Sequence, residues 1–196
     1  MAKSASGRVV DLPNGGFTPP AGWWTTPSHY MGSSASAVTG GVGTFTPFDF
    51  SAAVAIQAVG VHVSTAQVGG ALTVSLALYE DDGSGGQPDW TRRLTLGTVT
   101  VTATGTRSYA VTGLTVHPGR YWGAHLQVQT TAPTTQPQYN CIGNNAPQLP
   151  FPNGLTIGGT ARALRLTGLA ALPTALPTGL GVTGALDAPV VAVRVA

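Results

Sequence analysis

Leu72, Val74, Leu76 and Leu78 alternate with Thr73, Ser75 and Ala77, and this period of two narrows the structures open to the chain more than any other feature. A strand turns successive side chains to opposite faces, so the four aliphatics fall on one face of a half-buried strand. The period recurs where Val59, Val61 and Val63 alternate with Gly60, His62 and Ser64, and where Val99 and Val101 alternate with Thr98, Thr100 and Thr102. β-branched residues dominate both stretches, as a pleated surface favours. Strands are predicted over 53–63, 71–79, 95–103, 107–111, 121–129, 161–166 and 189–195, with Gly, Pro, Asn and Asp punctuating the gaps.

The same punctuation argues against helices. The Ala- and Leu-rich stretch 168–184 carries Pro173, Pro177, Gly179 and Gly181, and prolines four apart break a helix interior. The expected fold is therefore all-β, an antiparallel two-sheet sandwich with jelly-roll-like topology, forming a single domain over 23–196. Residues 1–22 are rich in Gly, Pro, Ser and Asn, and Arg8-Val-Val-Asp-Leu12 is their one apolar stretch, so they read as a short extended arm. Arg8, Val9, Val10 and Leu12, with Trp23 and Trp24 at its end, are the candidate residues for holding that arm in an assembly.

Charged residues are only 8% of the 196, against about 25% in an ordinary soluble domain. Low charge weakens repulsion between copies, which suits a subunit of an assembly better than a free enzyme. The basic residues Lys3, Arg8, Arg92, Arg93, Arg107, Arg120, Arg162, Arg165 and Arg194 are scattered and form no phosphate-tracking stripe, so no nucleic-acid partner is expected. The chain has no long apolar run and its first residues lack the apolar region of a secretory signal, so neither membrane insertion nor export by that route is expected. Cys141 stands alone, which excludes an intrachain disulfide and points to a buried, inert thiol.

Chemistry-bearing groups are few. Tyr79-Glu-Asp-Asp-Gly-Ser-Gly-Gly-Gln-Pro-Asp-Trp90 holds four of the seven acidic residues, and Asp81, Asp82 and Asp89 are weak candidates for a cation. The spacing departs from an EF-hand, whereas Asp82-Gly83 and Gly85-Gly86 supply turn positions, so the stretch also reads as a loop joining two strands. His29, His62, His117 and His125 have no metal-ligand spacing, and His62 and His125 fall inside predicted strands. No Gly-x-Ser-x-Gly elbow occurs, Cys141 has no local base, and Asp11, Asp49 and Asp187 leave few acid pairs for glycoside hydrolysis. Neither Gly-rich stretch is followed by Lys-Ser/Thr or by a helix. A non-enzymatic protein with no cofactor and no metal is expected.

Aromatics and amides are the remaining lead. Trp23, Trp24 and Trp122 are expected to cap the ends of the core, while Trp90 and Tyr139, set in polar stretches, are the better surface candidates. The 129–152 stretch is rich in Pro, Gln and Asn, and Tyr139, Asn140, Asn144, Asn145 and Gln148 join Trp90 as candidate ligand-binding residues, since aromatic faces beside amides hold sugars or another subunit.

Six pieces run in order: Gly22-Trp-Trp-Thr-Thr-Pro27, Phe45-Thr-Pro-Phe48, Val59-Gly-Val-His-Val-Ser64, Leu76-Ala-Leu-Tyr79 with Asp81-Asp-Gly-Ser-Gly-Gly-Gln-Pro88, Pro118-Gly-Arg-Tyr-Trp122, and Ala188-Pro-Val-Val-Ala-Val-Arg194. The ordered set, over about 22–196, resembles a β-sandwich module of tailed-phage virion proteins of the minor-tail and tail-fibre type. The resemblance implies a virion location, other virion proteins as partners, a host-surface glycan as ligand, and no catalytic residues. Two departures matter: the arm before Gly22 is short, and no fibre shaft precedes the module. They raise the alternative of a capsid decoration or connector protein, and a homotrimer or other ring is the expected assembly.

Overall fold

The computed structural model describes residues 21–25, 34–37, 40–83, 87–141, 163–175, 182–185 and 188–196. Every regular element among them is a strand: β1 (Trp24–Thr25), β2 (Ser34–Ala37), β3 (Val42–Phe50), β4 (Val54–Thr65), β5 (Ala71–Asp81), β6 (Pro88–Val99), β7 (Gly105–Val116), β8 (Gly119–Thr131), β9 (Gln138–Cys141), β10 (Ala163–Thr167), β11 (Val182–Ala185) and β12 (Val191–Val195).

The pairings nest. β5 pairs β6, β4 pairs β7, β3 pairs β8 and β1 pairs β12, all antiparallel, each pair enclosing the previous one in sequence. Successive pairs alternate between two sheets, ordered β1-β12-β4-β7 and β3-β8-β5-β6. A long hairpin wrapped in this way is the jelly roll, so the expected two-sheet sandwich and its topology both hold. β9 continues beyond β12 along the same edge of β4, with β2 outside it, and β10 and β11 extend the second sheet beyond β3.

Alternation places the core. Val59, Val61 and Val63 of β4 face Val74, Leu76 and Leu78 of β5 across the sandwich, with Val191 and Val193 of β12 beside them. The inward residues of β4 change phase between Ile56 and Val59, and the irregular register against β12 and β7 there marks a bulge at Gln57.

The second sheet is buried on its other face too. Phe45, Tyr79 and Trp90 pack edge-to-face there, with Trp122 in the same buried cluster, covered by Leu169 and Leu172 of the segment after β10. Three bonds strap that segment down: Leu169 N–H donates to Gly41 O (2.9 Å), the Tyr79 hydroxyl to Pro173 O (2.7 Å) and Arg93 Nη1 to Leu172 O (3.1 Å). The half-buried reading of β5 is thus corrected, because Ala77 and Tyr79, on its second face, are buried beneath this cover.

Five strands, β1, β2, β3, β9 and β11, lie outside the predicted ones, and β6 starts ahead of the predicted 95–103. β3 is central to its sheet although Gly43 and Pro47 interrupt its alternation, and β6 begins at Pro88, inside what reads as a loop. Pro47 is tolerated because β10 pairs only the Val42 to Phe45 half of β3.

Candidate functional site

The two ends of the sandwich differ in chemistry. Every described acidic residue, Asp49, Glu80, Asp81, Asp82 and Asp89, lies at the end marked by the joins at 51–53 and 117–118 and by the paired ends of β5 and β6. The opposite end, formed by the turn at Gly40 and Gly41 and the joins at 66–70, 100–104 and 132–137, contains no Asp, Glu, Lys or Arg among the described residues. Arg107, just inside it, folds its guanidinium back onto Ala103 O and Thr104 O.

At the charged end each carboxylate is engaged locally. Asp81 Oδ2 accepts from Trp122 Nε1 (2.8 Å) and Oδ1 from Gly83 N–H (2.9 Å), while Asp82 Oδ2 accepts from Gln87 Nε2 (2.6 Å). Asp89 Oδ1 accepts from Thr91 N–H and Oγ1, and these bonds hold its carboxyl below the usual aspartate range. Glu80 pairs with Arg92 (2.7 Å), and Asp49 makes a two-point pair with Arg120 (2.9 and 3.2 Å) directly across β3 and β8. No three His, Cys, Asp or Glu side chains gather for a metal among the described residues, so Asp81, Asp82 and Asp89 do not converge.

The uncharged end is organised by glutamines. The Tyr139 hydroxyl donates to Gln127 Oε1 (2.8 Å), Gln127 Nε2 donates to Gln136 Oε1 (3.1 Å), and Gln129 Nε2 donates to that same oxygen (2.8 Å). Gln127 and Tyr139 are fully buried, whereas Gln129 and Gln136 are half-buried, so the chain of amides runs from the core to the surface. Beside it Thr65 Oγ1 donates to Gln138 Oε1 (2.8 Å). The loops are zipped together by Val68, whose N–H donates to Thr135 O (3.2 Å) and whose carbonyl accepts from Thr134 N–H (2.9 Å) and Oγ1 (2.8 Å).

Behind the amides lies His125, fully buried and edge-on to the Tyr139 ring at 4.7 Å. Its two ring nitrogens and the Oγ1 of Thr44, its cross-strand neighbour, have no hydrogen-bond partner among the described residues. Burial pulls the His125 pKa down to about 3, so the imidazole is neutral near pH 7.

Several expectations are corrected here. Trp90 is 4% exposed, packed on Phe45 and Tyr79, and Tyr139 is wholly buried, so neither ring is a surface platform. Trp23, expected to cap the core, is instead 62% exposed; Trp24 is half-buried over Gly60, and Trp122 is fully buried, but in the cluster on the outer face of the second sheet and not at an end of the inter-sheet core. Asn140 is half-buried, and its carbonyl accepts from Val190 N–H (2.9 Å). Cys141 is buried, its Sγ donating to Tyr139 O (3.3 Å). Asn144, Asn145 and Gln148, and the arm residues Arg8, Val9, Val10 and Leu12, lie outside the described residues.

Gln127 and Gln136 were not among the candidates. The available signal was Gln127 and Gln129 two apart in a strand, on the face opposite Leu126 and Val128. No protein-family model matches the chain, and no curated protein matches it.

Proposed function

We propose that this chain is a structural module of a tailed-phage virion, tail-associated, that binds a glycan on the host surface. The observation that carries this reading is the segregation of charge. Gly22 N–H donates to Val195 O (2.8 Å) and Ala196 N–H to Ala55 O (2.9 Å), so both described chain ends sit at the charged end. Residues 1–20 and anything beyond residue 196 join the sandwich there, and the amide and hydroxyl end points away from that attachment.

In a sandwich the sheets are scaffold and the end loops carry recognition. An uncharged, amide-rich loop surface suits a polyhydroxylated ligand, and a chain with so few charges suits life inside an assembly. The resemblance of the ordered sequence pieces to a tailed-phage module supports the same reading. Other virion proteins are the partners at the charged end, with a ring of three copies as the assembly. The activity is binding and not turnover, in keeping with described carboxylates that are each tied to a local donor.

A second reading, a capsid decoration or connector protein, is favoured by Trp23. This indole is exposed beside the point where the arm joins the sheet, where it is available to a neighbouring subunit. Labelling the protein in intact particles, with deletion virions as control, separates the two. Signal at the tail tip supports host binding; signal spread over the head makes the chain a decoration protein.

A further inference from the structure

We infer that Gln129 and Gln136 form a subsite for the hydroxyl groups of an uncharged sugar; this rests on the glycan-binding reading above and names the class of ligand. Gln136 Oε1 accepts from both Gln127 Nε2 and Gln129 Nε2, which orients all three amides. Two groups are left over on half-exposed side chains: the Gln136 amide N–H donors and the Gln129 Oε1 acceptor, neither of them bonded to another described residue. A sugar hydroxyl both donates and accepts, so an amide pair offering one donor and one acceptor matches it.

The pair is held from behind. Gln127 is fully buried and fixed by the Tyr139 hydroxyl, so the outer amides lose little freedom on binding. Gly40 contributes on the flank: a Cβ there would lie 3.0 Å from Gln129 Cγ, so the missing side chain lets Gln129 lie against the turn. Thr134 and Thr135 extend the surface with hydroxyls, and Thr134 Oγ1 is itself pinned to Val68 O (2.8 Å).

The charge of the ligand follows from the same surroundings. A uronate, sialate or phosphate needs a cationic partner to replace its hydration. The described loops of this end carry none, and Arg107 is committed to its own turn. A neutral polysaccharide asks for no such partner.

Gln136→Glu is the discriminating variant, because its carboxylate keeps an oxygen to accept from Gln127 and Gln129 while the free donor becomes an acceptor. The probes are the neutral and acidic fractions of the host's surface polysaccharide, separated by anion exchange and assayed by calorimetry. The expected result is binding to the neutral fraction that Gln136→Glu weakens about ten-fold, as for loss of one or two hydrogen bonds, with an unchanged melting temperature. Gln129→Leu, which removes the acceptor, is expected to weaken it to a similar degree. Preference for the acidic fraction, or neutral binding untouched by both substitutions, would overturn the subsite while leaving the glycan reading in place. Binding to neither fraction sinks both.

Discussion

The buried indole of Trp122 donates to Asp81 Oδ2 at 2.8 Å, joining the outer buried cluster to the acidic hairpin. One carboxylate of the apparent cation loop is therefore a structural acceptor. Asp81→Ala leaves the indole N–H without this partner, and the expected cost is about 1–3 kcal/mol in a denaturant melt. Millimolar calcium is expected to leave the melting temperature of the unaltered protein unchanged; a rise of several degrees would show that the hairpin binds the ion after all.

Gly97 and Tyr109 close the seam between the free edges of β6 and β7. A Cβ at Gly97 would lie 2.4 Å from Tyr109 Cγ, so the ring rests on bare backbone, with its hydroxyl 3.3 Å from Thr95 Oγ1. Gly97→Ala is expected to destabilise by roughly 1–3 kcal/mol through overpacking. In the Tyr109→Ala background the same change should cost much less, and additive losses in that double-mutant cycle would contradict the contact.

His125 sets a pH dependence. Its folded pKa, about 3, lies below the unfolded value of 6.5, so folding favours the neutral ring. The associated stability is fully present above pH 6.5 and is lost as pH falls from there towards 3, because the unfolded chain binds the proton first. The slope approaches about 1.4 kcal/mol per pH unit within that window. His125→Phe, placed beside Tyr139 and Thr44, is expected to flatten urea midpoints between pH 6 and 4 relative to the parent; an identical slope in both proteins would rule out His125 as its source.

Cys141 sits inside the core with its thiol on Tyr139 O. A thiol reagent is expected to modify it only as fast as the protein opens, and at once in denaturant. Rapid stoichiometric labelling of the native protein would place the thiol at the surface instead.

Local alternation determined much of this protein. The aliphatic period in 72–78, the valines of 59–63 and the prolines of 168–184 specify strands and forbid a helix, because strand geometry acts between residues two apart and a proline acts on its own turn. From those strands and their turns the two-sheet sandwich followed, as did the buried thiol. Only the tertiary structure decided the rest. β3 is a strand because β8 and β10 flank it, which its Gly43 and Pro47 conceal. Trp90 and Tyr139 stand among polar residues in sequence but are buried by distant ones, Trp90 in the group beneath Leu169 and Leu172, Tyr139 beside His125. Charge at one end and amides at the other arise from joining Asp49 to Arg120 and Gln127 to Gln136. Such contacts depend on how the nested strands pair in space, and a pattern read along neighbouring residues carries no record of that pairing.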